Sequence, residues 1–140
     1  MTRLRAMVLE DEPAARRLLV QLIEETELAE VVGVASNVAE ALEVLRAAPV
    51  DVAFVDIRLP GGESGLDLIR LFGVPDPRGQ GSSGIHRTLF VLATAVERHT
   101  LRAFELGVVD YLLKPLSETR VERSLHRVAN LLKSGADPRD

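Results

Sequence analysis

Short, nearly continuous apolar runs alternate with longer amphipathic segments, and this alternation restricts the fold of the chain more than any other feature. Five apolar runs read as strands: Leu4–Leu9, 31–35, Val52–Val55, 89–93 and 108–113. Nearly uninterrupted apolar runs are typical of parallel sheets, because helices cover both faces of such sheets. The alternation predicts an α/β fold, a doubly wound five-stranded parallel sheet of order 2-1-3-4-5.

The segments between these runs repeat their apolar residues at helical spacing. The predicted helices start at Pro13, Val38, next to Ser64, at Val96 and at Ser117. We expect the fourth helix over residues 96–106 and the fifth over 117–132. Residues 73–87 contain four Gly, two Pro and two Ser, which predicts an irregular loop.

Composition excludes several functional classes. The length of 140 residues predicts one domain. The absence of cysteine excludes disulfides, thiolate zinc sites and cysteine nucleophiles. The net charge of −4 gives no general attraction to nucleic acids or anionic membranes. The N-terminus does not resemble a signal peptide, and no run approaches the roughly 18 apolar residues of a membrane span. The simplest expectation is a cytoplasmic protein.

Polar side chains follow four of the five predicted strands. They are Glu10, Asp11 and Glu12 after the first strand, Asp56 after the third, Thr94 at the end of the fourth and Lys114 after the fifth. In an open α/β sheet, residues just past the carboxyl ends of the strands converge on one crevice. The sequence therefore predicts a pocket in which carboxylates, a hydroxyl and an ammonium group meet.

Such a pocket suits a divalent cation, because neighbouring carboxylates repel one another and a cation removes that penalty. Magnesium, or manganese in its place, prefers octahedral oxygen coordination and keeps several waters. We expect Asp11 and Asp56 to be direct ligands and Glu10 to act through a water molecule. The backbone carbonyl of Arg58 is a further candidate ligand.

An aspartate in this setting can also act as a nucleophile that attacks phosphorus and forms an acyl phosphate. Asp56 is the candidate nucleophile. Lys114 and the Thr94 hydroxyl would each contact a phosphoryl oxygen and neutralise its charge. Ala95 is small enough to leave the phosphorus atom accessible.

The motifs VLEDEP, FVDIRLPGGESGLDLIR, LATA and DYLLKP resemble those of response-regulator receiver domains of bacterial two-component systems, which have a CheY-like, flavodoxin-like fold. The resemblance covers residues 3 to about 133, so we expect a receiver domain over 1–133 and a polar tail or linker over 134–140. It implies that Asp56 is the phosphoacceptor and that Glu10 and Asp11 are the acidic pair. It also implies that Thr94 and Tyr111 are switch residues, that Lys114 contacts the phosphoryl group, and that the Lys114–Pro115 bond is often cis.

The same resemblance implies the partners. A histidine kinase would donate the phosphoryl group, and the domain would catalyse only its own phosphorylation and dephosphorylation. A surface around helices four and five would change partner, with a homodimer as one outcome. The segments EDEPAARRLL and VDYLLKPLSETRVERSL are most like receivers that precede LytTR-type DNA-binding domains. We therefore expect a fragment of a transcriptional regulator rather than a stand-alone receiver, with no nucleic acid or membrane contact by this domain itself.

Some residues depart from the family pattern or have simpler interpretations. Glu10 replaces the more usual aspartate, and the loop 73–87 is longer than usual, as a tolerated insertion or as a partner-binding segment. Arg58 and Val96 flank the expected path of the attacking water, which predicts slow autodephosphorylation. The remaining candidates are interpreted as surface groups: His86, His99, His126, Glu63 and Asp67. The charged residues of the last helix suggest mixed-sign pairs at helical spacing, on a face that is either solvated or part of a dimer: Arg120, Arg123, Arg127, Glu118 and Glu122.

Three other functions are considered. A phosphohydrolase of the haloacid-dehalogenase type needs a second carboxylate two residues after its nucleophile, where this chain has Arg58. A flavodoxin-like cofactor binder needs a phosphate-binding loop after the first strand, where the acidic segment EDEP would repel a phosphate. A degenerate receiver that acts as a protein-interaction scaffold is the third alternative, and none of the four motifs favours it.

Overall fold

The computed structural model describes residues 2–72 and 87–135. Within them, five parallel strands form one sheet of order β2-β1-β3-β4-β5, which confirms the predicted topology. The strands are β1 (Leu4–Leu9), β2 (Ala29–Ala35), β3 (Val52–Val55), β4 (Leu89–Thr94) and β5 (Asp110–Leu113). The helices are α1 (Pro13–Glu25), α2 (Val38–Ala47), α3 (Gly65–Phe72), α4 (Thr100–Glu105) and α5 (Glu118–Ser134).

The sheet is covered on both faces, and the central strands are apolar at nearly every position for this reason. Helices α1 and α5 pack on one face, against side chains such as Val8 and Phe54. Helices α2, α3 and α4 pack on the other face, against neighbours such as Leu9 and Val55. Successive residues of a strand thus point into opposite cores, and the side chains of Val8, Leu9, Phe54 and Val55 are all fully buried.

Helix α4 is shorter than predicted, because it begins at Thr100 instead of Val96. The backbone groups of Val96 bind side chains instead of helical partners. Its N–H donates to Thr94 Oγ1 at 3.3 Å, and its carbonyl accepts a hydrogen bond from the Tyr111 hydroxyl. Strand β5 is also shorter than predicted, since it starts at Asp110.

The other boundaries lie close to the prediction. Strand β2 begins earlier than predicted, at Ala29, and α5 extends to Ser134, where Gly135 adopts a left-handed conformation with φ of 71°. Glu12 caps α1 by accepting hydrogen bonds from the backbone of the first turn, and Asn37 caps α2. Apart from Arg87, the loop predicted over 73–87 lies outside the described residues, as do His86 and the tail after Gly135.

Candidate functional site

The structure brings three of the predicted acidic residues together at the carboxyl ends of β1 and β3. Carboxylate oxygens of Glu10, Asp11 and Asp56 all lie within 4.8 Å of one another. Glu10 and Asp56 are buried, with 2% and 8% of their surfaces exposed, and Asp11 is partly exposed. Glu12 is turned toward α1, where hydrogen bonds from Ala15 and Ala14 lower the pKa of its carboxyl group.

Lys114 supplies the positive charge of this cluster from the end of β5. Its ammonium donates hydrogen bonds to Glu10 Oε1 and, at 3.1 Å, to Asp56 Oδ2. Burial alone would lower the pKa of Lys114, but these bonds outweigh burial and hold the pKa above its usual range. The Lys114–Pro115 peptide bond that follows is cis, as the family resemblance implied.

The acidic cluster has the chemistry of a site for a hard divalent cation. Burial raises the pKa of Glu10, although Lys114 and the Glu12 N–H oppose the shift, and the charge of Asp56 raises it further. Among residues 2–72 and 87–135, the Asp11 carboxylate has no hydrogen-bond partner. One unpaired carboxylate beside two buried ones fits magnesium, which needs only one or two carboxylates from the protein.

Asp56 is held by backbone contacts on both sides. Its N–H donates to the Leu9 carbonyl at 3.0 Å, and the Arg58 N–H donates to Asp56 Oδ1 at 3.2 Å. Gly65 lies directly over the Asp56 carbonyl, because a Cβ atom on Gly65 would meet that oxygen at 2.0 Å. This close approach cannot be predicted from the sequence, because it depends on how α3 packs against the end of β3.

Thr94 and Tyr111 are joined through the peptide groups of Val96. Thr94 is fully buried, and its hydroxyl accepts the Val96 N–H. Tyr111 donates to the Val96 carbonyl, while burial raises the pKa of its phenol. The two predicted switch residues therefore contact the same short loop from different strands.

A groove of about 250 Å³ opens beside these residues and is lined by Arg58, Ala95, Val96, Glu97 and Arg98. Arg58 and Val96 thus line the same opening, where the sequence analysis expected them to flank the approach of water. The Arg58 side chain is exposed.

A second polar network, which the sequence analysis did not find, joins β5 to α5. Asp110 accepts hydrogen bonds from Arg120 at 2.8 and 2.9 Å, from Ser124 Oγ at 2.6 Å and from the Tyr111 N–H at 2.9 Å. Asp110 and Ser124 are buried. Burial alone would raise the pKa of Asp110, but these bonds hold it below its usual range. Arg120 therefore pairs with a carboxylate on β5, not with a charge at helical spacing on its own helix.

Two residues interpreted as solvated also have protein partners, although Glu63 is exposed and the Asp67 side chain is 47% exposed. Glu63 accepts the Val38 N–H at the start of α2 at 3.2 Å. Asp67 pairs with Arg70 one turn along α3 at 2.9 Å. Of the described histidines, His126 is exposed and His99 is half-buried before α4. Leu101, Phe104 and Leu113 leave apolar surface exposed on α4 and β5, at 75%, 40% and 44%.

Comparison with known families identifies the chain. The model of the response regulator receiver domain matches residues 6–126. The chain is a response-regulator receiver domain. This assignment agrees with the resemblance carried by the four motifs.

Curated relatives of this receiver domain include proteins named as transcriptional regulators. The chain is 36% identical over 125 residues to the transcriptional regulatory protein BtsR of Salmonella typhi, covering 89% of this chain and 48% of that protein. It is 36% identical over 129 residues to the sensory transduction protein LytR of Staphylococcus saprophyticus, covering 92% and 47%. The chain thus spans about half the length of these relatives.

A solved structure with the same fold is the response regulatory domain of mrkE from Klebsiella pneumoniae. It has a TM-score of 0.77 and 28% sequence identity, over 94% of this chain and 99% of that one. Within the described residues of the present chain, no helix is both long and apolar enough to cross a membrane.

Proposed function

We propose that this receiver domain accepts a phosphoryl group from a histidine kinase on Asp56, in a reaction that requires magnesium. The observation that carries the proposal is the cluster of three carboxylates within 4.8 Å of one another, with Lys114 bound to Asp56. Asp11 and Asp56 would hold the ion directly, Glu10 would hold it through water, and the Arg58 carbonyl would complete the protein ligands. When bound, magnesium would neutralise charge on the phosphoryl oxygens.

In the reaction, a carboxylate oxygen of Asp56 attacks the phosphorus of the donor phosphohistidine. A P–O bond forms and the P–N bond breaks, while its electron pair stays on the imidazole nitrogen. Lys114 would then transfer its hydrogen bond from Asp56 to a phosphoryl oxygen. The signal ends by hydrolysis: water attacks the phosphorus, inorganic phosphate leaves, and the Asp56 carboxylate is restored.

The switch would act through Thr94, Val96 and Tyr111. A phosphoryl group on Asp56 offers the Thr94 hydroxyl a charged acceptor. Movement of Thr94 toward it would release the Val96 N–H and shift the loop whose carbonyl binds Tyr111. The surface around α4 and α5 would change with it, as a two-state population shift.

The output is proposed from the relatives. Because this chain spans about half the length of regulators such as BtsR, we propose that it controls a DNA-binding domain, as LytTR-type receivers do, in the cytoplasm. The exposed Leu101, Phe104 and Leu113 are compatible with a homodimer through α4 and α5. In this proposal the domain itself contacts neither DNA nor membrane and acts as a phosphoacceptor, not as an enzyme with turnover.

The test is the intact mass of the protein after incubation with acetyl phosphate, with and without magnesium. We expect the mass of one phosphoryl group to be gained only with magnesium, in a linkage that is stable to acid and labile to base. Asp56→Asn should abolish the gain. Asp67→Asn is the matched control, since it removes a carboxylate outside the cluster and should label like wild type.

Labelling retained in Asp56→Asn would show that Asp56 is not the acceptor. Absence of labelling in wild type at every magnesium concentration would favour the scaffold alternative. Release of phosphate from a phosphate monoester in many turnovers, as opposed to slow turnover of acetyl phosphate, would instead favour the phosphohydrolase alternative.

A further inference from the structure

Arg16 links three segments around the acidic cluster. It lies on α1, and its Nη1 donates to the Glu10 carbonyl at 3.0 Å and to Ser36 Oγ at 3.2 Å. These bonds connect α1 with the end of β1 and with the loop between β2 and α2. Arg16 is only partly exposed, whereas the neighbouring Arg17 is exposed.

The bond to Glu10 fixes the peptide group between the two acidic residues, because the Glu10 carbonyl belongs to the Glu10–Asp11 peptide. The preceding peptide is fixed as well, since the Glu10 N–H donates to the Ala35 carbonyl at 3.0 Å. Both peptide groups that set the direction of Glu10 therefore have partners. The orientation of Asp11 depends on the same peptide, because no side-chain bond holds its carboxylate within the described residues.

We propose that Arg16 is a positioning residue of the magnesium site, which holds the Glu10–Asp11 peptide so that the Asp11 carboxylate faces Asp56. This role rests on the proposed function. The Ser36 hydroxyl supports it by giving the guanidinium a second acceptor on a different loop. Residues that orient metal ligands typically contribute about tenfold or more to metal affinity.

An electrostatic role and a positioning role of Arg16 predict opposite changes in magnesium affinity when Arg16 is replaced. A positive charge beside the cluster repels a divalent cation, so a purely electrostatic effect of Arg16→Met would be tighter binding of magnesium. A positioning role predicts weaker binding despite the lost repulsion. Arg17→Met is the matched control, because it removes the same charge from the next residue of the same helix.

The experiment is a magnesium titration followed by the amide NMR signals of the full chain. We expect the magnesium Kd of Arg16→Met to rise about tenfold, while Arg17→Met stays within about twofold of wild type. In phosphorylation by acetyl phosphate, the magnesium concentration at half-maximal rate should rise by the same factor. The rate at saturating magnesium should stay within about twofold of wild type, which general damage to the fold would not allow.

An equal or lower Kd in Arg16→Met than in Arg17→Met would overturn the positioning role while leaving the proposed function intact. A wild-type protein without magnesium-dependent shifts would overturn both. Should Arg16→Met fail to fold, Arg16→Gln removes the same contacts with a polar side chain. We expect the same rise in the magnesium Kd of Arg16→Gln, and a Kd equal to or lower than that of Arg17→Met would again overturn the positioning role.

Discussion

The contact between Gly65 and Asp56 leads to a sharp prediction for Gly65→Ala. The added methyl group would lie 2.0 Å from the Asp56 carbonyl oxygen and 2.4 Å from Val55 Cγ1. The backbone conformation is not at fault, because Gly65 is not among the glycines with positive φ. The oxygen belongs to the backbone of the strand end, so α3 or the Asp56 peptide must move by about 1 Å to reach ordinary contact distances.

The cost follows from this displacement. Overpacking of a filled site costs up to about 3 kcal/mol. The Gly65 N–H donates a hydrogen bond of 2.8 Å to the Ile57 carbonyl, and losing this bond would cost about 1 kcal/mol more. We therefore expect a loss of about 3 to 4 kcal/mol in the free energy of unfolding. For a chain of this size, the loss corresponds to a fall of roughly 10 °C or more in Tm.

The assay is guanidinium-induced unfolding of Gly65→Ala beside Gly61→Ala. Gly61 has a φ of 70° but nothing within 4 Å of its added Cβ, so its variant should lose only about 1 kcal/mol, from conformational strain. In the fraction of Gly65→Ala that stays folded, acetyl phosphate should label Asp56 up to about a hundredfold more slowly, because a nucleophile misplaced by about 1 Å loses that much. A Gly65→Ala variant within 1 kcal/mol of wild type, or one that labels at the wild-type rate, would refute the reasoning.

Three further predictions concern pH, metal and lifetime. Because the folded pKa of Asp110 is below the ordinary value of 3.8, its ion pair with Arg120 stabilises the protein above that value. In urea unfolding near neutral pH, the free energy of unfolding of Asp110→Asn should be about 2 kcal/mol lower than that of wild type. This difference should vanish as the pH falls through the pKa of Asp110 in the folded protein. A difference that does not depend on pH would contradict the prediction. Magnesium at ten times its Kd should raise the free energy of unfolding by about 1.4 kcal/mol, measured from thermal melts. The increase should be absent in Asp11→Asn, and a chelator should reverse it in wild type. Arg58 and Val96 line one opening, two residues after Asp56 and Thr94 respectively. The doubly substituted Arg58→Asn, Val96→Glu protein should therefore lose its phosphoryl group faster than wild type, and equal half-lives would argue against shielding of the water path.

The sequence predicted what depends on local pattern and on topology. The strands are apolar runs, and a parallel sheet brings their carboxyl ends to one edge. Asp56 and Lys114 could therefore be assigned to one edge of the sheet before any distance was known, and their 3.1 Å contact agrees with that assignment. The position of the first turn of α4 could not be predicted, because Val96 has suitable helix neighbours but its backbone groups bind Thr94 and Tyr111 instead.

Residues that act through distant partners were missed for the same reason. Arg120 was interpreted as one charge among several on α5, yet it binds Asp110 on β5. Arg16 has the spacing of a solvated helix position, yet it reaches Ser36, twenty residues away. Neither partner can be identified from helical periodicity, which gives the face of a helix but not what that face meets.

Glu10 shows how the longer side chain fits a position where the family more often has aspartate. One of its carboxylate oxygens accepts the ammonium of Lys114, and the other accepts the Glu12 N–H at 3.2 Å. Both oxygens are thus engaged, while Asp11 next to it keeps its carboxylate unpaired within the described residues. The unpaired carboxylate supports Asp11 as a direct ligand of the ion, beside a Glu10 whose oxygens already have protein partners.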